Sequence, residues 1–512
     1  MNAGNIFLRN YLLLLLLFVS CNEAGRKKAD SNTGSAIVDT GQAENASEYI
    51  LKDSTTGVIT GRFIEALRRA HRLYVGDFDT MMKLRVIRVL VPYSRTLFFN
   101  DKGYERGITA DNFHEFEGFL NKKYEKELGR IPLTVVFVQT PRNRLFEYVM
   151  RGVGDIAAGN LTATTERLKQ VDFMVPDDKR TSEIVLNRKG EPAIPNAARL
   201  SGNTVYVRRS SSYFSSLKKL NATLAAEAKA PVNLEIISDN LEDEDLMEML
   251  NAGIISTIVV DDWKAKMWAK ILPNIRVNEA AAVRAGATHG VAYRKESPGL
   301  ARELEDYYHY QQRRGTISDR LKQYGRMVGD LQNPTRPGNV NRFTQVISLF
   351  RKYGTQYDFD PLMLAALGFQ ESKLDHNLRS RTGEVGVMQL KPGTGKAMKV
   401  GDIRAIEPNI HAGTKYIATM MEEYFKDAHF DDFNRCLFAF ASYNAGPGQI
   451  AGLRKTAADQ GLDPDVWLNN VEIIASEKVG QETTTYVRNI IKYYYAYKLM
   501  KSNAAFTPIT SK

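Results

Sequence analysis

The sequence predicts two unlike domains in one chain, a two-lobed α/β domain followed by an all-α domain. Three observations carry that expectation. Across residues 84–311, apolar runs of strand length alternate with amphipathic segments of helix length, the pattern of an α/β domain with a mostly parallel sheet. From Phe343 onward the apolar residues recur almost wholly at helical spacing. Between them, residues 312–342 concentrate Gly315, Gly325, Gly329, Pro334, Pro337 and Gly338, which marks a linker.

A chain of 512 residues suits two or three domains, and 43% hydrophobic with 25% charged residues allows each a sizeable core. The formal net charge is +10, but no Lys/Arg block or nucleic-acid motif accompanies it. It reads as a mildly basic solvated surface, with no nucleic acid expected as a partner. The cysteines are two, Cys21 and Cys436, so the folded part has no internal disulfide; Cys436, in an apolar segment, reads as a small core residue. The seven histidines form no His-x-x-x-His pair, and neither a metal site nor a cofactor is expected.

At the N-terminus, Arg9 supplies a positive charge and residues 11–19 an apolar core too short to span a bilayer, which is a targeting pattern. It ends Phe18-Val19-Ser20-Cys21, which resembles a bacterial lipoprotein signal. That resemblance implies a signal over 1–21, lipidation of Cys21, and an anchor holding the chain at the periplasmic face of a bacterial membrane, expected to be the outer one. An ordinary secretory signal cleaved nearby is the alternative. Residues 22–83 read as a tether, polar and small-residue-rich at first, with a short helix over 59–73.

The α/β elements follow in order. Strands are expected at 86–91, 134–138 and 155–158, with helices at 112–124 and 145–150 between them. The alternation repeats with strands at 204–207, 234–237 and 256–260, helices at 213–220 and 243–251, and a closing helix at 300–310. Two linked lobes fit this better than one. The helical domain, 343–502, is expected to carry helices at 343–353, 361–372, 392–400, 408–424, 433–443 and 482–500, with a tail over 503–512.

Asp360-Pro361 is a strong helix start, since the aspartate caps free N–H groups and proline is tolerated in the first turn. Leu364, Leu367, Gly368 and Glu371 then share one face, apolar until Glu371. A carboxyl in that setting is pushed toward its neutral form, as a general acid needs. On this helix alone, a glutamate pointing to solvent at a frayed end is the stronger reading. Ser380, the run Gly386-Val387-Met388-Gln389, the helix stop Tyr443-Asn444-Ala445-Gly446 and the opening Glu482-Thr483-Thr484-Thr485-Tyr486-Val487 change the balance by their order and spacing.

These runs, with Glu371-Ser372, resemble the four motifs of the lytic transglycosylases of glycoside hydrolase family 23, which have a goose-type-lysozyme-like helical fold. The resemblance implies that Glu371 is catalytic acid and base, that Ser372, Ser380, Met388, Gln389, Tyr443, Asn444 and Tyr486 line or support a sugar site, and that Glu482 is a supporting carboxylate. It implies peptidoglycan glycan strands as substrate, cut between N-acetylmuramic acid and N-acetylglucosamine with a 1,6-anhydro end. Asp375 and Glu384 lie close enough in sequence to leave a hydrolytic muramidase open as an alternative.

The first domain, through Gly154-Asp155-Ile156-Ala157-Ala158-Gly159, Thr162 to Arg167 and Val171-Asp172-Phe173, resembles the family 3 periplasmic solute-binding proteins. That implies a periplasmic-binding-protein-like fold and an amino acid or muropeptide as effector. Arg167 would take a ligand carboxylate, Asp261 an amine, with Thr162 beside them and Tyr93 covering the ligand. Ordinary surface or inter-lobe charges remain open for Arg167 and Asp261. A solute-binding lipoprotein with a silent helical tail is the remaining alternative for the whole chain.

Overall fold

The computed structural model describes residues 73–176, 180–314 and 332–502, with one short strand pair, Leu51–Lys52 against Val58–Ile59. The signal, Cys21, most of the tether with nearly all of the helix expected over 59–73, much of the linker and the tail lie outside the described residues. Among the described residues no helix is long and apolar enough to cross a membrane.

The first lobe opens with α1 (Phe78–Leu84) and β1 (Val86–Val91), continues through the hairpin β2 (Phe99–Asp101) and β3 (Tyr104–Arg106), and adds α2 (Ile108–Lys123), β4 (Thr134–Gln139), α3 (Leu145–Met150), β5 (Ile156–Thr162) and β6 (Asp172–Met174). The tether expected to reach residue 83 therefore ends earlier. Phe78 and Met81 are buried in this lobe's core, and Asp77 caps α1 through the Phe78 N–H at 2.7 Å. All six residues of β1 are buried, Arg88 included. Its guanidinium is neutralised by Asp155, with Nη2 2.7 Å from Oδ1, and lies on the Tyr74 ring.

The second lobe holds β7 (Arg180–Arg188), β8 (Thr204–Arg208), α4 (Ser212–Ala226), β9 (Asn233–Ile237), α5 (Asp243–Ala252), β10 (Thr257–Asp261) and α6 (Asp262–Trp268). The long strand β11 (Ile275–Tyr293) and α7 (Pro298–Arg314) return the chain to the first lobe. One sheet runs β9-β8-β10-β7-β11-β5-β1-β4, with β6 on β11. It is mixed where a mostly parallel sheet was expected: β8 with β9 and β10, and β1 with β4 and β5, are parallel, but β7 and β11 pair antiparallel with their neighbours. Strand β11 pairs with β7 through residues 275–288 and with β5 through 289–293, so it belongs to both lobes.

The helical domain comprises α8 (Pro337–Tyr357), α9 (Pro361–Ser372), α10 (Pro392–Met398), α11 (Ile406–Tyr424), α12 (Asp432–Ala445), α13 (Pro447–Asp459), α14 (Glu472–Lys478) and α15 (Gln481–Ser502). Pro337 sits at the start of α8, where a missing N–H costs nothing, so it opens a helix within the expected linker. Helix α9 is buried along almost its whole length, packs on α8 and α15, and is the central rod of the domain. A contiguous apolar cluster runs from the second lobe, through Trp268 and Leu246, into this domain, and Cys436 lies buried within it.

Candidate active site

Glu371 lies one residue before the end of α9. Asp360 caps that helix through the Leu362 N–H at 2.7 Å, while its other oxygen accepts from Tyr494 Oη at 3.0 Å. The helix stops because Lys373 and Leu374 both adopt left-handed backbone conformations, φ 58° each. Lys373 thereby lays its ammonium over the Phe369 and Tyr493 rings, 4.9 and 5.4 Å from their centres.

Glu371 is half-buried, and the Tyr486 hydroxyl donates to its Oε1. Burial pushes its carboxyl up to about 7; the Tyr486 hydrogen bond pulls it down, the Glu384 charge adds to the rise, and Lys373 opposes it. An acid so placed changes its protonation state with little driving force near neutral pH. Burial and the nearby Glu371 charge hold both Tyr486 and Tyr443 well above the usual phenol range, so both stay hydrogen-bond donors.

The turn after the helix is a knot stitched from two sides. Ser372, buried, donates to Gly368 O at 3.1 Å and Val387 O at 2.8 Å, so it ties the helix end to the knot and does not face a cleft. Asn409, fully buried on α11, donates to Val385 O at 2.9 Å and Ile403 O at 3.1 Å and accepts from Met388 N at 2.9 Å. Gly386 has φ +80°, and a Cβ there would lie 2.5 Å from the Asn409 amide. Met388 is also buried, against Gly413; its carbonyl accepts from Tyr443 Oη at 2.6 Å. Gln389 donates to Gly386 O at 2.8 Å and Leu378 O at 3.3 Å. Ser380 Oγ lies 2.9 Å from Thr382 Oγ1 and accepts from Glu384 N at 3.0 Å.

A cleft of about 470 Å³ is lined by Gln370, Asn444, Gln481, Glu482, Thr485, Tyr486 and Asn489; Glu371 is not in its lining and meets it through the Tyr486 hydroxyl. Asn444 is fixed there by the Thr483 hydroxyl, 2.9 Å away. Of the residues expected at a sugar site, Asn444 and Tyr486 line this cleft, as does the expected supporting carboxylate Glu482; Ser380, Gln389 and Tyr443 are outside its lining, and Ser372 and Met388 are buried. Sequence reasoning missed Gln370, Gln481, Thr485 and Asn489. The last three recur at i, i+4 and i+8, an uncharged polar stripe that was readable on the final helix. Asp375, one candidate second carboxylate, is tied to Arg342 at 3.2 Å and to Asn377 N at 2.9 Å.

Between the lobes, the expected ligand residues meet each other and their neighbours. Asp261 accepts from Asn160 Nδ2 at 2.6 Å and Tyr213 Oη at 3.0 Å, and lies 3.3 Å from His289. Thr162 Oγ1 is 3.1 Å from Ser212 Oγ and 3.0 Å from His289 Nε2. Arg167 donates to the carbonyls of Thr162 at 2.9 Å and Ser210 at 3.2 Å; burial, with the Arg142 charge, brings it down to about 10. Tyr93 is buried, with its ring under Arg488 and its hydroxyl against Gln481 of the helical domain, and it also lines the small cavity between the lobes. The cavity between Pro92, Arg142, Glu242 and Arg488 measures about 10 Å³, room for about one water molecule.

Two family descriptions match the chain: Bacterial extracellular solute-binding proteins, family 3, over residues 90–327, and Transglycosylase SLT domain over 348–464. The chain is similar to a protein of Desulfosudis oleivorans named membrane-bound lytic murein transglycosylase F, at 30% identity over 76% of this chain and 86% of that one. It is similar at 30% identity to the protein of that name from Pseudomonas fluorescens, over 80% and 84% of the two chains. A solved structure of an ancestral arginine-binding protein bound to arginine aligns with 47% of this chain and 97% of its own, at 22% identity and a TM-score of 0.36.

Proposed function

From the premise that the chain belongs to the membrane-bound lytic murein transglycosylase F family, we propose that Glu371 carries the cleavage of murein as its acid and then its base. The single observation behind this assignment is the half-buried carboxyl, raised to about 7, hydrogen-bonded to Tyr486 beside a polar cleft.

In the first step neutral Glu371 gives its proton to the bridging oxygen as the bond from muramyl C1 to that oxygen breaks, releasing N-acetylglucosamine O4 as a hydroxyl. The substrate's own N-acetyl group stabilises the cationic C1. In the second step the Glu371 carboxylate takes the proton of the muramyl 6-hydroxyl, whose oxygen bonds to C1. The ring closes to a 1,6-anhydro sugar, no water is consumed, and Glu371 ends protonated as it began. Tyr486 holds the carboxylate between the steps. Gln370, Asn444, Glu482, Thr485 and Asn489 offer donors and acceptors to the glycan.

Glu371→Gln is expected to lower cleavage of purified sacculi by about 10²-fold or more. Mass spectrometry of wild-type products should show anhydro ends; ends carrying an added water would replace this reading with the hydrolytic one, for which the charge of Glu384 near Glu371 is the supporting observation.

Arg167, without a carboxylate partner among the described residues, supports a carboxylate-bearing effector such as an amino acid or muropeptide. Such a ligand requires the lobes to part, since they are latched by Arg142 on Glu242 at 2.9 Å and Ser94 on Glu244 at 2.7 Å. Calorimetry on the full chain with and without an Arg167→Ala change measures it, and a heat independent of Arg167 would overturn the assignment. Lipidation of Cys21 and residence at the outer membrane rest on the signal pattern. Cys21→Ser should then release the enzyme from the membrane fraction.

A further inference from the structure

The wall of the active-site cleft nearest the first domain is held by residues that the catalytic chemistry does not use. Helix α15 begins at Gln481, directly after Gly480 at φ +103°, so its entry has little backbone stiffness of its own. The first turn of any helix also leaves backbone N–H groups without intrahelical partners. Thr483 ties this end to Asn444 within the helical domain, and the first lobe adds the contacts at Gln481. Tyr93 Oη donates to Gln481 Oε1 at 3.3 Å, and Gln481 Nε2 donates to Asn100 O. Seven residues along, the Arg488 guanidinium lies 3.8 Å from the Tyr93 ring centre. Arg488 is itself clamped by Glu472, at 2.6 and 2.9 Å. Tyr93 thus touches α15 at two points about two turns apart, and Tyr486, the residue that bonds Glu371, lies between them.

We propose that Tyr93 of the solute-binding-like lobe is a positioning residue for the transglycosylase, bracing α15 through Gln481 and Arg488 so that the Tyr486 hydroxyl meets Glu371. It touches neither substrate nor reacting atoms. The inference rests on the assignment of Glu371 as the acid.

The groups facing Glu371 are Tyr486 from α15, Glu384 from the knot, Lys373 from its own helix end and Tyr443 from α12. Of these, Tyr486 alone is carried by the braced helix. Its hydrogen bond favours the carboxylate, so loosening it raises the pKa of Glu371 and moves the alkaline limb of the rate profile to higher pH.

The experiment measures kcat, KM and the pH profile of the full-length enzyme on sacculi. Tyr93→Ala, which removes both contacts, is expected to lower kcat about ten-fold or more and to move the alkaline limb upward. Tyr93→Phe, which keeps the ring under Arg488 and loses only the bond to Gln481, is expected to do so partially. In a Tyr486→Phe background, Tyr93→Ala should leave the limb where that background puts it. Unchanged kcat and limb in a folded Tyr93→Ala protein, or a limb shift that persists without the Tyr486 hydroxyl, would overturn the proposal. Should Tyr93→Ala fail to fold, Tyr93→Phe and Gln481→Met carry the same comparison. Loss of activity in Glu371→Gln tests the acid assignment separately, so failure of one is distinguishable from failure of the other.

Discussion

Glu371 takes up a proton near pH 7 in the folded chain, against 4.5 for an ordinary glutamate. Between those values the folded state binds more protons than the unfolded state, so this residue's contribution makes stability fall as pH rises through the window. Below the window both states are protonated and the residue is neutral to stability; above it the folded protein carries the full cost of a half-buried charge. Glu371→Gln should therefore be more stable than wild type at about pH 8, by on the order of 2 kcal/mol, and equal to it at about pH 4. Urea denaturation at the two pH values checks this. That cost is the one expected of the acid role proposed for Glu371. Ser372, its neighbour in sequence, belongs to the opposite class, since both of its hydrogen bonds go to backbone carbonyls.

Elements whose own residues decide their form were legible. Strand Val86–Val91 and helix Pro361–Ser372 were each expected at their observed ends, the first from an unbroken run of branched residues and the second from Asp360-Pro361. Strands Arg180–Arg188 and Ile275–Tyr293 were not read at all. The second includes Glu279-Ala280-Ala281-Ala282 and Gly286, weak strand formers that are extended because β7 and β5 lie alongside to pair with them. Those two strands also make the sheet mixed. Likewise the order of motifs placed Glu371, Tyr486 and Asn444 together, but whether Ser372 turns toward the cleft or the knot is set by Val387 O, fifteen residues away. The knot's dependence on α11 has a measurable consequence. Asn409→Leu strips partners from Val385 O, Ile403 O and Met388 N in a buried setting, and should cost on the order of 3 kcal/mol in chemical denaturation. Because Met388 also presents the carbonyl that Tyr443 grips, the same change should lower cleavage activity.

Across the whole molecule, three bodies meet at the start of α5. Lys492 of α15 is buried 2.7 Å from Glu248 and 3.1 Å from Asp245, and Arg95 of the first lobe reaches the same Glu248 at 2.7 Å. Arg208 and Lys264 of the second lobe hold Asp243, which they keep far below the usual carboxylate range against the opposing effect of its burial. Charges this deep contribute little net stability while paired, but removing one partner strands the others. Lys492→Met should destabilise the full chain by about 3 kcal/mol in guanidinium denaturation, although the lysine touches neither cleft.

That shared knot of charge also constrains inheritance. The two halves of this chain are not interchangeable cassettes: transplanting the helical half onto a foreign solute-binding half would leave Lys492 without Asp245 and Glu248, and would leave Arg488, still paired with Glu472, without the Tyr93 ring. Arg95, Asp245, Glu248, Arg488 and Lys492 have to travel as a set, so descendants of this architecture are expected to vary these positions together or not at all.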